Sequence, residues 1–206
     1  MSLRLTPAAR AWALATLCAH GGAVWAASLQ VSVSDEKGRP VPQAVVFLES
    51  AEAARATRPL PNVEMAQKDK SFVPDTLVIT RGTAVQFPNR DTVRHHVYSF
   101  SPAKRFELKL YIGTPASPVV FDQPGVVVLG CNIHDEMIGW ILVVDTPYSG
   151  STAANGQVRL NDVPEGNYRL RVWHSGMAVG APALDLPQRL GTAGATANVT
   201  LKGLTP

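Results

Sequence analysis

The segment Gly130-Cys131-Asn132-Ile133-His134-Asp135-Glu136-Met137 places a thiol, an imidazole and a thioether three residues apart in turn. A tight loop can bring all three to one metal ion. Soft sulfur ligands together with imidazole suit copper. One Cys and two His in a trigonal set, with a long axial Met, is the arrangement used for single-electron transfer. The second imidazole must come from elsewhere, and the chain offers it at His95-His96, just ahead of an apolar run beginning with Val97. Adjacent residues of an extended segment face opposite ways, so only one of the pair can join such a centre. From the residues alone, either could be the ligand.

Competing chemistries fit less well. A structural zinc site seldom uses Met and usually needs four Cys or His ligands. A dinuclear copper centre would need two cysteines in the loop, and this loop has one. The plain structural alternative is a buried free cysteine beside unrelated His and Met residues. That alternative leaves an exported thiol unexplained, because the N-terminus reads as an export signal. Arg4 and Arg10 form a basic start, Ala11 to Ala19 is a short apolar run, and Val24-Trp25-Ala26 offers small residues for cleavage after Ala26. Cleavage there removes Cys18 and leaves Cys131 as the single cysteine, in an oxidising compartment. Leu17 precedes Cys18, which argues against a lipid attachment cysteine.

The apolar run is shorter than the roughly 20 residues that span a bilayer, so a soluble periplasmic protein without a membrane span is expected. The same cleavage lowers the formal charge from +3 to +1, so the basic balance of the whole chain belongs mostly to the signal. With no basic helix and no row of stacking aromatics, nucleic acid is not an expected partner.

The elements that must position these residues are strands. Charged residues make up only 17% of the 206, while Gly and Pro number 16 each, which favours many turns between short strands. Leu29, Val31 and Val33 alternate with polar residues, Asp35-Glu36-Lys37-Gly38 makes a turn, and Ala44 to Leu48 is a second strand. Ala51 to Pro61 reads as a linker or loop. Leu77-Val78-Ile79, Val85-Gln86-Phe87, His96-Val97-Tyr98, Val126 to Leu129 and Ile138 to Val144 continue the pattern of short strands. Beyond Pro147, Asn155-Gly156 and Pro164-Glu165-Gly166 mark turns around Val158 to Leu160 and Tyr168 to Val172. A Gly- and Ala-rich stretch that reads as loop follows, and then a last strand over Ala197 to Leu201. No sustained helical period or fixed repeat appears, so the expected class is all-β, a sandwich or barrel.

At the ligand residues the chain resembles the plastocyanin and amicyanin group of cupredoxins. Phe87, Asn89, His95 and Val97 match the segment that carries the family's N-terminal ligand histidine. Cys131, His134, Met137 and Gly139 match the amicyanin-type loop ahead of the final strand, and Phe72-Val73-Pro74 with Gly82 fits the first strands. The resemblance spans about Val63 to Asp145. It implies a Greek-key β-sandwich holding one copper ion through His95, Cys131, His134 and a weak axial Met137. It also implies that His96 takes the place of a residue holding the two ligand loops together, with His96 as ligand the alternative. Two departures stand out. Gly130 replaces the aromatic that many members carry before the cysteine, and Asp135-Glu136 replaces a Pro and an aromatic.

A second resemblance surrounds the first. Val33, Asp35, Gly38, Pro40, Val41, Ala44, Val45 and Val46, together with Gly156, Pro164, Gly166, Tyr168 and Leu170, follow the pattern of the carboxypeptidase regulatory-like, transthyretin-like β-sandwich. This implies a signal peptide over residues 1–26, a split sandwich over 27–61 and 147–206, and a cupredoxin unit inserted over 62–146. Proteins of this two-part type are often labelled methylamine utilisation proteins, a label that reflects the amicyanin resemblance.

Together these imply a blue copper protein passing single electrons between periplasmic redox partners such as a c-type cytochrome or a dehydrogenase. The alternative is copper storage, delivery or sensing. No enzyme is expected, since an oxidase or nitrite-type reaction needs a second, open copper site and only His96 and His174 are left to build one. His174 reads as a surface or hydrogen-bonded strand-end histidine.

Overall fold

Apolar alternation decides which side of each strand is buried, and runs that break the alternation mark strands covered on both sides. The computed structural model describes residues 26–205. The expected export signal lies, apart from Ala26, outside the described residues.

β1 (Ala26–Asp35) buries Leu29, Val31 and Val33 on one face. β2 (Val45–Glu49) is buried over its first four residues, because Val46 and Leu48 enter the same core as Leu29 while Val45 and Phe47 point the other way. The stretch read as a linker from Ala51 instead begins with a short helix, α1 (Ala51–Ala56). Ser50 caps it, its side chain accepting from the Ala53 amide at 3.1 Å, and alanines carry it at low entropic cost.

The middle of the chain runs through β3 (Val63–Glu64), β4 (Ala66–Lys68), β5 (Ser71–Val73), β6 (Thr76–Thr80), β7 (Thr83–Gln86) and β8 (His95–Ser101). It continues through β9 (Lys104–Tyr111), β10 (Val119–Phe121), β11 (Gly125–Cys131) and β12 (His134–Val144). One sheet has the order β10-β7-β3 and the other β6-β12-β11-β8-β9, with β4 and β5 forming a separate hairpin. Phe87, Phe121, Ile79, Val97, Leu129 and Ile141 fill the core of this part. β9 and β10 were not expected. β9 alternates cleanly, with Phe106 and Leu108 packed on the core and Arg105, Glu107 and Lys109 exposed.

The chain then returns through β13 (Ser149–Ser151), β14 (Gln157–Pro164), β15 (Gly166–Trp173), β16 (Leu184–Leu190) and β17 (Ala195–Leu201). β1 lies between β14 and β17, and the second sheet has the order β13-β2-β15-β16. The first and last segments of the chain therefore share one core, built on Leu29, Val31, Leu48, Leu170 and Val172. β16 falls in the stretch read as loop. It is an edge strand, which tolerates Pro187 with its missing N–H.

The fold is all-β apart from α1. Among the described residues no helix is long and apolar enough to cross a membrane. A third cluster joins the two parts: Leu142 and Val144 of β12 pack on Val45, Phe47 and Trp173. This explains the unbroken apolar run at the end of β12, where Ile141 and Val143 point into one core and their neighbours into another.

Candidate metal centre

Two loops at one end of the β6-β12-β11-β8-β9 sheet carry the chemistry. The first, residues 89–94, is pinned by Asn89. Its side-chain amide donates to the carbonyls of Val93 (2.8 Å) and Tyr111 (2.9 Å), and its Oδ1 accepts from the Asp91 amide (2.9 Å). A buried Asn with each of these bonds made fixes the loop's course into β8. His95 opens β8 and is completely buried. The second loop joins Cys131, the last residue of β11, to His134, the first of β12. The pairing slips between Gly130 and Cys131, so that Cys131 sits opposite His134 while Gly130 sits opposite Ile138. The extra residues on β12 form a bulge, which re-aims side chains. Met137 lies inside this bulge, 2% exposed and in the same apolar cluster as Cys131.

The donor atoms converge. His95, Cys131 and His134 each offer one ligand atom within 4.8 Å of the others. The Cys131 sulfur is 3.8 Å from His95 Nδ1 and 3.7 Å from His134 Nδ1. An ion bonded to a thiolate at about 2.3 Å and to an imidazole nitrogen at about 2.0–2.1 Å separates those donors by roughly 3.6–3.8 Å for angles from tetrahedral to trigonal. The observed separations fit one ion between them. The two imidazole rings lie 5.0 Å apart, tilted by 57°. Cys131 is buried and has no disulfide partner among the described residues.

Sequence reasoning missed Asp91, Tyr98, Tyr111 and Gln67. Asp91 Oδ2 lies 2.7 Å from His95 Nε2, and its two oxygens also accept the amides of Asp69 (2.7 Å) and Lys70 (2.9 Å). Burial pushes the Asp91 carboxyl upward, but the Lys70 amide, the His95 ring and the Asp69 amide together hold it below the usual carboxylate range. Its spacing four residues before His95 was the available signal, yet in the sequence it looks like any turn aspartate. Tyr98 is paired with Gly130 across β8 and β11. Its ring occupies the space a side chain at 130 would need, since a Cβ there would stand 2.8 Å from it. Tyr111, paired with His95, sends its hydroxyl to Gln67 Oε1 (2.7 Å) and the Phe87 carbonyl (2.8 Å).

His96 takes the opposite face from His95. Its Nε2 is 3.0 Å from Glu107 Oε1 of β9 without hydrogen-bond alignment, and its ring meets Tyr98 edge-on. Its contacts are thus with β9 and with Tyr98 of its own strand. His174 lies far along the chain, just after β15, and is not among the converging donors. Its Nδ1 accepts the Gly176 amide at 3.0 Å. Burial pushes its pKa down, partly offset by the Pro42 carbonyl and Asp75. His134 is half-buried, its chain neighbours Ile133, Asp135 and Glu136 are exposed, and Val93, two residues before His95, is exposed as well.

No family model and no curated protein matches the chain. Among solved structures, it is similar to a copper-containing nitrite reductase from Thermus scotoductus SA-01, at 29% identity over 43% of this chain and 23% of that one, with a TM-score of 0.38. It is similar to a purple cupredoxin from Nitrosopumilus maritimus, at 22% identity over 40% of this chain and all of that one (100%), with a TM-score of 0.36. A reduced Cu(I) form of an amicyanin mutant matches at 18% identity over 48% of this chain and 98% of the other, with a TM-score of 0.37. The match thus spans less than a quarter of the nitrite reductase.

Proposed function

We propose that this protein is an exported type 1 copper protein that carries single electrons between redox partners. The observation that carries the reading is the buried Cys131 thiol, without a disulfide partner among the described residues, with two imidazole Nδ1 atoms at 3.7 and 3.8 Å. Residues 62–146 form the copper-holding unit in this reading, inserted in a regulatory-like sandwich made from residues 27–61 and 147–206. Cys131, His95 and His134 would hold the ion, with the buried Met137 thioether as a weaker fourth ligand. Copper so bound would supply a one-electron couple whose potential depends on the thioether and on the surroundings of the sulfur.

The chain's own residues account for the rest. Asn89 and the β11–β12 bulge fix the donors through the backbone, so little needs to move between oxidation states. His95, Cys131 and Met137 are buried, which keeps water from the sulfur. His134 reaches the surface next to exposed Ile133, which gives its rim an apolar residue against which a partner can dock. Asp135 and Glu136 add negative charge to that rim, which favours a partner with basic residues around its redox group, such as a c-type cytochrome or a periplasmic dehydrogenase.

The test is to add Cu(II) to the purified chain and to Cys131→Ser and record visible spectra and cyclic voltammograms. The native protein is expected to show an intense thiolate-to-copper band and a reversible one-electron wave, both absent from the variant. Identical spectra would overturn the copper–thiolate site. A protein that holds only colourless Cu(I) and yields it to a chelating acceptor would instead be a delivery protein.

A further inference from the structure

We infer that Asp91 is a positioning residue for this centre: held by the turn of the β4–β5 hairpin, its carboxylate fixes His95 as an Nδ1 donor and its charge favours the oxidised metal. The inference rests on the copper reading above for its second half only.

The first half follows from hydrogen-bond bookkeeping. His95 is fully buried, and Asp91 Oδ2 is 2.7 Å from its Nε2. A carboxylate only accepts, so Nε2 carries the proton, and Nδ1, which faces the Cys131 sulfur, has its lone pair free. Without Asp91, the ring could protonate at either nitrogen and rotate about its side-chain bonds.

The carboxylate itself is held from a distant part of the chain. Asp69 and Lys70 link β4 to β5 with φ of +52° and +56°, two successive left-handed residues as in the tight turns that join antiparallel strands. This turn aims both backbone amides at Asp91, one to each oxygen, at 2.7 and 2.9 Å. Left-handed backbone is disfavoured for residues other than glycine, and the two charge-assisted bonds offset that cost. The hairpin, Asp91 and His95 therefore form one connected unit in which the protein supplies three hydrogen bonds to the carboxylate, one to Oδ1 and two to Oδ2.

The second half follows from charge. A carboxylate bonded to the far nitrogen of a ligand imidazole makes the ring a stronger donor, and partners of this kind alter metal affinity by about 10–100-fold when changed. A negative group beside the ring stabilises Cu(II) more than Cu(I), so its removal must raise the reduction potential.

The test compares the native chain with Asp91→Asn, which keeps a carbonyl oxygen for the His95 N–H and removes the charge, and with Lys70→Gly, which keeps both the turn and its amide. With copper bound, Asp91→Asn is expected to lose about tenfold or more of its preference for Cu(II) over Cu(I). For a one-electron couple this is a rise of about 59 mV or more. Lys70→Gly is expected to leave the potential unchanged. If Asp91→Asn lowers only thermal stability at an unchanged potential, the carboxylate is a structural tether and the inference about charge fails while the copper centre stands.

A measurement on the metal-free native chain separates the two readings. Nitrogen-15 NMR of the His95 ring is expected to find the proton on Nε2. A proton on Nδ1 overturns the positioning role whether or not copper binds. If copper gives no thiolate band but the Nε2 proton is found, the copper reading falls and Asp91 retains its hold on His95.

Discussion

Gln67 is fully buried, yet only one end of its side-chain amide is used: Oε1 accepts the Tyr111 hydroxyl, while Nε2 has no hydrogen-bond partner among the described residues. Burial drives the Tyr111 hydroxyl well above the usual tyrosine range, partly offset by the bond to Gln67, so it remains a donor across ordinary pH. Tyr111→Phe would leave both ends of a buried amide unsatisfied, next to the strand pair that carries His95. An unmade buried hydrogen bond costs about 1–3 kcal/mol, whereas removing both partners together is close to neutral. Tyr111→Phe is therefore expected to lower the urea midpoint by an amount in that range, and Tyr111→Phe with Gln67→Met to recover most of it. Equal loss in the single and double variants would show that the hydroxyl's bond to the Phe87 carbonyl is the one that matters.

At the scale of elements, β12 has the least room to change. It pairs with β11 on one side and β6 on the other, and a Cβ at Gly139 would stand 2.9 Å from the Cβ and ring root of buried Phe72 on β5. Those atoms cannot swing aside as a ring tip can. Gly139→Ala is expected to cost about 1–3 kcal/mol of stability by overpacking. Because Met137 is two residues away on the same strand, the variant should also alter the copper spectrum. Gly130→Ala meets only the ring tip of Tyr98, so it should be milder, and a larger loss there than at Gly139 would count against this account.

Most strands were legible in the sequence because their faces alternate, and Cys131, His134 and Met137 were legible because their spacing is local. The His95-His96 pair was harder for a physical reason. Both histidines of the pair are buried, so burial does not tell them apart; only the rows they head differ, His95, Val97 and Ser99 being buried throughout while Tyr98 is half-buried and Phe100 exposed. Asp91 and the hairpin turn at Asp69-Lys70 could not be read at all, because the bond between them spans a sequence separation of more than twenty residues. α1 was hidden by its shortness, and β16 by Pro187, which only an edge strand accepts.

At the scale of the whole molecule, the two parts of the chain meet where Val45, Phe47 and Trp173 cover Leu142 and Val144. His174 follows Trp173 directly and sits at this junction, bonded to Gly176, beside the Pro42 carbonyl and influenced by Asp75, whose own carbonyl accepts the Trp140 amide. Burial makes the charged ring less favourable in the fold than in the unfolded chain, so its pKa in the fold lies below the ordinary 6.5. A depressed pKa contributes stability that is complete above the unfolded value and is lost as pH falls through the folded one. The native chain should therefore lose stability as the pH is lowered below about 6.5, ahead of the carboxylates. His174→Gln cannot take up that proton. The difference in melting temperature between native and variant, taken in the metal-free form, is expected to favour the native chain most near neutral pH and to shrink steadily toward pH values of about 5. A constant difference across that range would mean that the junction does not sense the charge on His174.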